Sequence, residues 1–576
     1  MTRNALERSL LWINTVRHLR PKQVGHRARL RAQQLAIVTL PRAARAALMH
    51  RPSSRYGWPT SFAPIDQWVG EGFPDAPANA ENRFTFLNEE RDLGVPENWE
   101  PADVDRLWRY NLHYFEWAWG FATHPDRRWA AAEFERLWNS WAAQTSLRSR
   151  DVWSPYVASL RAWALCGLYA PLVSGRSYGD DFLESLRLHA GFLRTHLELD
   201  VGGNHLIKNV KGLIGLGVFL DDHRLVQTGA RLLARELGVQ VLSDGGHYER
   251  SPSYHCQVLG DLIDVDGLLR HSGWAPVGGL AEAIRAMRSW LGAMIMPDGN
   301  VPLFNDCTLV NEKRLKTLGP TFPDEQPLVV LQPSGYVVMK PDERLHLVAD
   351  VGPPCPEELP AHAHADCLSF ELAVDGRRVV VDTGTSTYSD LQRRQYERST
   401  RAHNTVEIDG ADQTEVWGLF RAARLARPHL ERAYVTQGRI EVVGSHTGYE
   451  KTLPGAPVHR RSWMIRPGEI AIDDEIHGTG VHKVAARLYF RASEEIKSIG
   501  PYGAEGKSLS LSFSHGQEKL SPRIEAGTSA FGFGKLAPVD VLIIEAAAGL
   551  PLRLGVRFQL APEEAAMRDL QRNTPR

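Results

Sequence analysis

Cys367-Leu368-Ser369-Phe370-Glu371-Leu372-Ala373-Val374 runs into Asp375-Gly376 and then Arg377-Arg378-Val379-Val380-Val381-Asp382. Two runs rich in apolar and β-branched residues flank an Asp-Gly pair, the dipeptide that tight hairpin turns favour because both turn residues adopt positive φ. The stretch therefore predicts two antiparallel strands. The same pattern holds on either side, at Leu328 to Lys340, Leu345 to Val351 and Asn404 to Ile408. It continues through Arg439 to Val443, Arg461 to Ile465, Ile470 to Asp474, Val484 to Phe490, Leu509 to Phe513, Val539 to Glu545 and Leu552 to Phe558. A second Asp-Gly turn stands at Ile408-Asp409-Gly410-Ala411. About a dozen strands with no helices between them predict a large antiparallel β-sandwich over residues 323–576.

Upstream the period changes. Asp103 to Ala122, Arg127 to Thr145, Pro155 to Ser174 and Tyr178 to Leu197 carry apolar residues at three- and four-residue intervals. Gly203 to Phe219, Arg224 to Leu242, Pro252 to His271 and Leu280 to Met296 continue the series, separated by short breaks. Helices of similar length on short turns pack as antiparallel neighbours. Such hairpins can curl into an incomplete α/α toroid with a central cleft, here over residues 101–322. Fourteen of the sixteen Trp lie at or before Trp290, which marks the halves as different in kind. Residues 1–100 read as basic helices broken at Pro21 and Pro41, then an extended connecting segment from 51 to 100.

The net charge of -1 over 576 residues gives no chain-wide case for nucleic-acid binding. Residues 1–50 are the exception, with ten Lys or Arg against one acid, Glu7. That imbalance suits an anionic polymer or membrane surface, or simply a solvated helix face. Five scattered cysteines without a CxxC pair argue against a disulfide framework. The apolar run Leu10-Leu11-Trp12-Ile13 is too short for a signal-peptide core, and no stretch reads as a membrane span, so a cytoplasmic location is expected.

Four polar clusters remain. Gly203-Asn204-His205 follows a glycine break, where Asn204 would serve as a helix cap. Asp244-Gly245-Gly246-His247-Tyr248-Glu249-Arg250 enters a helix at Ser251-Pro252, which puts Tyr254 and His255 in its first turn. His362-Ala363-His364 stands where the strand pattern begins, and strand residues two apart face the same side. Asp382 and His403 lie at the edges of later strands, so a His, an Asp and a His offer the ligand types that zinc accepts.

Taken together, Asn204-His205, Ser251-Pro252-Ser253-Tyr254-His255, His362-Ala363-His364-Ala365-Asp366, Val381-Asp382-Thr383-Gly384-Thr385 and His403-Asn404-Thr405-Val406 resemble the heparinase II/III-like polysaccharide lyases, a group related to oligoalginate lyases. The resemblance implies an α/α toroid followed by a β-sandwich, and β-elimination on a uronic-acid polysaccharide. It implies that Asn204 and His205 engage the uronate carboxylate and that Tyr254 and His362 exchange protons. It makes His364, Asp382 and His403 ligands of a mainly structural zinc ion. Arg161, Arg401 and His255 are further candidates for binding an anionic sugar. The alternatives are a non-catalytic polysaccharide-binding or assembly protein using the same cleft, and a zinc hydrolase. Ala363 departs from the glycine expected between the paired histidines.

Overall fold

The computed structural model describes residues 3–53, 55–65, 75–322, 326–515 and 521–562. The expected junction between 322 and 323 falls against residues outside the described ones.

The helical half follows the predicted series. Gly203–Phe219 and Pro252–His271 form over the expected residues. The first expected helix is broken at Phe115, whose φ of 64° ends Arg106–Tyr114 before Trp119–Thr123 begins. Gly203–Phe219 is buried along nearly its whole length and packs against Pro155–Leu168, His223–Gln240 and Pro252–His271. Its glycines permit this: a Cβ on Gly212 would stand 2.9 Å from the carbonyl oxygen of Ser159. Most of the Trp cluster is core, with Trp99, Trp108 and Trp138 almost fully enclosed. Pro155–Val173 is apolar and long enough to cross a membrane, but 72% of it is buried within the helical half, as befits a core helix.

The sheet half is a sandwich of two antiparallel sheets. The larger runs from Ser521–Gly532 through Lys535–Gly549 and Val481–Arg491 to Arg377–Val380, then outward to Leu328–Leu331, with Val406–Ile408 paired on Val481–Arg491. The other runs from Pro428–Thr436 through Glu469–His477 and Leu552–Leu560 to Lys497–Ser498. Asp375 and Gly376 take φ of 49° and 78°, and Asp409 and Gly410 take 52° and 70°, as the two Asp-Gly turns require.

Two segments depart from expectation. Residues 75–100 are not merely extended: Arg83–Phe86 pairs with Glu89–Asp92, and Phe84 is fully buried against Trp99 and Trp117. The basic helices Arg3–Val16 and Pro21–Thr39 bridge both halves. Trp12 meets the edge of Trp417 with ring centroids 5.0 Å apart. Gln23 Nε2 donates to the Asp200 carbonyl at 3.0 Å, Arg27 pairs with the Asp200 carboxylate at 3.2 Å, and Arg20 pairs with Glu358 at 2.5 Å.

Candidate active site between the helices and the sandwich

The turn before helix Gly203–Phe219 brings the first site residues to the cleft. Gly203 has φ of 55°, and a Cβ there would overlap Glu249 Oε1, so only glycine lets Glu249 approach. Glu249 accepts from the Asn204 backbone N–H at 2.6 Å and from Asn204 Nδ2 at 3.0 Å. Asn204 is therefore not a cap; its amide is fixed by a buried carboxylate. His205 next to it is about a third exposed, stacks on Tyr156 at 4.3 Å and reaches Glu198 Oε1 with Nδ1 at 3.2 Å. Burial pushes its pKa down, but the Glu198 carboxylate outweighs that and leaves it above the ordinary value. His205 stands beside Tyr156, which lines the cavity.

Ser251 Oγ accepts from the Tyr254 N–H and so caps the helix that starts at Pro252. Tyr254 lies on the ring of His362, centroids 4.0 Å apart, and its hydroxyl meets that of Tyr388 at 3.0 Å. Burial raises its pKa well above the ordinary value, and Tyr388 and Asp306 add to the rise. The phenol is a protonated donor.

The paired histidines are not in a strand. His362 ends a short helical turn, Pro360–His362, and the strand begins only at Phe370. They converge instead on one carboxylate. His362 Nδ1 is 2.8 Å from Asp306 Oδ2, and His364 Nε2 is 2.8 Å from Asp306 Oδ1. Arg394 Nη2 donates to Asp306 at 2.6 Å. Burial alone would raise the Asp306 carboxyl, yet Arg394 and the two histidines hold it well below the usual range. His362 Nε2 faces Glu249 Oε2 at 3.4 Å, so the helical and sheet walls meet through this ring.

Behind His362 lies a second cluster. His364, Asp366 and His403 are fully buried, and one ligand atom of each lies within 4.8 Å of the others. His364 Nδ1, Asp366 Oδ1 and His403 Nε2 have no hydrogen-bond partner. Three orphaned buried atoms of ligand type fit a bound cation better than they fit a dry core. Asp382, also expected among the ligands, adjoins this cluster: its Oδ2 takes Nδ1 of the His403 ring at 2.8 Å, while Asp366 completes the group of three. Burial, and then the nearby Asp366, push the Asp350 carboxyl up.

Three expected binders lie elsewhere. Arg161 is fully buried between Trp141 and Trp153, with Nε on His189 at 2.9 Å, and burial brings its pKa down to about 9. His255 is fully buried on Trp290, with Nε2 on the Met287 carbonyl at 3.0 Å. Both are core residues. Arg401 is exposed over the Tyr396 ring and lines no part of the cleft.

Tyr254, Asp306 and Tyr388 open into a cavity of about 710 Å³, walled also by Lys208, Gln257 and Phe533 and closed on one side by the hairpin at Arg83. Glu249 and Asp366 stood inside motifs readable from sequence; Asp306, Tyr388 and Arg394 had no local signal.

Residues 75–329 match the profile described as Heparinase II/III N-terminus, and residues 323–569 match Heparinase II/III-like, C-terminal. The chain is 25% identical over 364 residues to a heparin-sulfate lyase of Pedobacter heparinus, covering 55% of this chain and 54% of that protein. It is 29% identical over 342 residues to FtsZ-localized protein C of Caulobacter vibrioides, covering 58% of each. The chain thus spans little more than half the length of these curated relatives. The crystal structure of heparinase III superposes with a TM-score of 0.75 at 16% identity, over 90% of this chain and 89% of that one, which matches the toroid and sandwich. With the two profiles spanning both halves of the fold, the chain belongs to the heparinase II/III-like family.

Proposed function

We propose that this protein is a polysaccharide lyase that cleaves a uronic-acid-containing chain by β-elimination. The reading rests on one observation above all: the ring of His362 from the sheet half lies on Tyr254 from the helices, which lines the cavity, and each is tied to Asp306 or its partners. In this reading His205, next to the Asn204 amide that Glu249 fixes, holds the uronate carboxylate. Fixed donors there stabilise the charge that develops when the C5 proton leaves. Asp306 accepts the His362 Nδ1–H, which leaves Nε2 as the base for that proton. As the C4–O4 bond breaks and the C4–C5 double bond forms, the Tyr254 hydroxyl gives its proton to O4. Burial keeps the phenol protonated, so it has a proton to give. The relatives named heparin-sulfate lyase support this substrate class.

We further propose zinc at His364, Asp366 and His403, with Asp382 orienting His403. Zinc there would neutralise the buried carboxylates and stiffen the segment that carries His362. The three residues are fully buried and line no part of the cleft, which favours a structural ion over a hydrolytic one.

The test is absorbance of an unsaturated uronate, screened over heparan sulfate, hyaluronan, chondroitin, alginate and bacterial exopolysaccharides. Tyr254→Phe should cost at least about 10²-fold in rate while the protein melts as before. An undiminished rate in that variant removes Tyr254 from the chemistry. The name of the Caulobacter relative favours a second reading, a non-catalytic assembly protein. It predicts binding of one of these polymers with no product from any.

A further inference from the structure

Eight of the twenty exposed large apolar side chains among the described residues fall between positions 10 and 40. They are not scattered. On helix Pro21–Thr39, Val24, Leu35 and Val38 are all exposed and recur at spacings that share one face, with Ala28 and Arg31 between them. The opposite face carries Ile37, which is buried, and the half-buried Gln23, Leu30 and Gln33. The first helix repeats the arrangement: Leu10, Ile13 and Val16 face outward while Leu11, Asn14 and Thr15 turn inward. Leu40, at the junction with the third helix, is 63% exposed. From Val24 to Val38 the stripe is about 21 Å long at the α-helical rise.

The charge on these helices has one sign. Residues 8–50 contain nine Lys or Arg and no acid. Arg20, Arg27 and Arg45 are spent on Glu358, Asp200 and Glu184. Arg17, Lys22, Arg29 and Arg31 are exposed and make no ion pair among the described residues. An acidic polysaccharide would use such cations but has no need of exposed Leu, Ile and Val. A lipid surface uses both: apolar side chains enter the acyl boundary while long basic side chains reach up to anionic headgroups. We propose that the outward face of the two N-terminal helices docks on an anionic membrane surface. The proposal stands apart from the lyase reading, since these helices precede both stretches matched to the family and supply none of the site residues.

The test is co-sedimentation of the full chain with vesicles of phosphatidylglycerol and phosphatidylcholine, against vesicles of phosphatidylcholine alone. The protein should partition to the anionic vesicles and stay in solution with the neutral ones. Leu35→Glu with Val38→Glu should weaken that partition by about tenfold or more. Both side chains already face water, so the double variant should melt and elute like the parent. Failure of the parent to bind anionic vesicles overturns the proposal. So does undiminished binding by the double variant, which would mean contact by charge alone. Self-association of the parent that the same substitutions disperse would assign the stripe to a second copy of the chain.

Discussion

The two walls of the cleft are built in opposite ways. On the helical wall two functional side chains sit in the first turn of a long helix and keep some access to solvent: His205 after Gly202-Gly203, Tyr254 after Ser251-Pro252. On the sheet wall the functional residues sit in irregular backbone or a short helix between strands, and all but His362 and Tyr388 are sealed from water. A helix start fixes its residues by local capping and glycine geometry. An irregular loop has no such frame, so its histidines are held by distant partners. Asp306 is the chief of these, and its backbone reaches both walls: its carbonyl accepts from Ser251 Oγ at 2.6 Å and its N–H donates to the His362 carbonyl at 3.2 Å.

If the sheet wall depends on that carboxylate, Asp306→Asn should be the most damaging single change. It leaves the Arg394 guanidinium buried with no full counter-charge, which costs about 3–5 kcal/mol. It also frees His362 and His364 together. Chemical denaturation and steady-state rates would both register the loss. An Asn variant with parental stability would show that the loop frames itself.

Next in size is the cluster behind His362. His403→Ala should lower zinc content and melting temperature together, measured by elemental analysis and by calorimetry. Asp382→Asn should lower both less, because Asp382 touches the ring of His403 rather than the cluster atoms. Equal losses from the two variants would return Asp382 to the ligand set.

The contrast between the walls also explains what could be read from the sequence. Period gave the helical hairpins and the strands of the sandwich, and the Asp-Gly pairs gave the two turns, because those features are local. The place of His205 and Tyr254 in a first helical turn was legible because a glycine break and Ser251-Pro252 announce a helix start, while Asn204, read as a cap, is held by Glu249 instead. Asp306 was not, since its partners lie 56 and 58 residues away and nothing in Asn305-Asp306-Cys307 signals them. Arg161 and His255 were misread for a related reason: a polar residue type suggests a ligand, but packing between tryptophans gives it a core role. The strand placement of His362 and His364 failed too, yet both rings still converge because one carboxylate has two oxygens to offer.

On the helical wall the sharper test is pH. Glu198 holds the His205 pKa above the ordinary 6.5 despite burial. A raised value means that the ion pair adds stability below the unfolded pKa and loses it as pH rises through the folded one. In the lyase reading the same step removes the cation from the uronate carboxylate, so KM should climb on the alkaline side of 6.5. Glu198→Gln should move that climb to lower pH while kcat at acid pH changes little. A KM profile unaltered by the substitution would take His205 out of carboxylate binding.

The smallest effect concerns what holds the walls at their distance. Asp200 lies four residues before Asn204 and Glu358 four before His362, and helix Pro21–Thr39 ties to both through Arg27, Gln23 and Arg20. Arg20 and Arg27 are largely exposed, so each ion pair contributes no more than about 1 kcal/mol and is screened by salt. The global stability of Arg20→Ala with Arg27→Ala should therefore fall only slightly. The site needs closer tolerance than the fold does, because proton transfer requires hydrogen-bond reach between groups on opposite walls. The double variant should thus lose several-fold in kcat with its melting temperature nearly unchanged, and high salt should reproduce part of that loss in the parent. A rate that follows stability alone would mean that the two walls keep their spacing through Asp306 without help from the N-terminal helices.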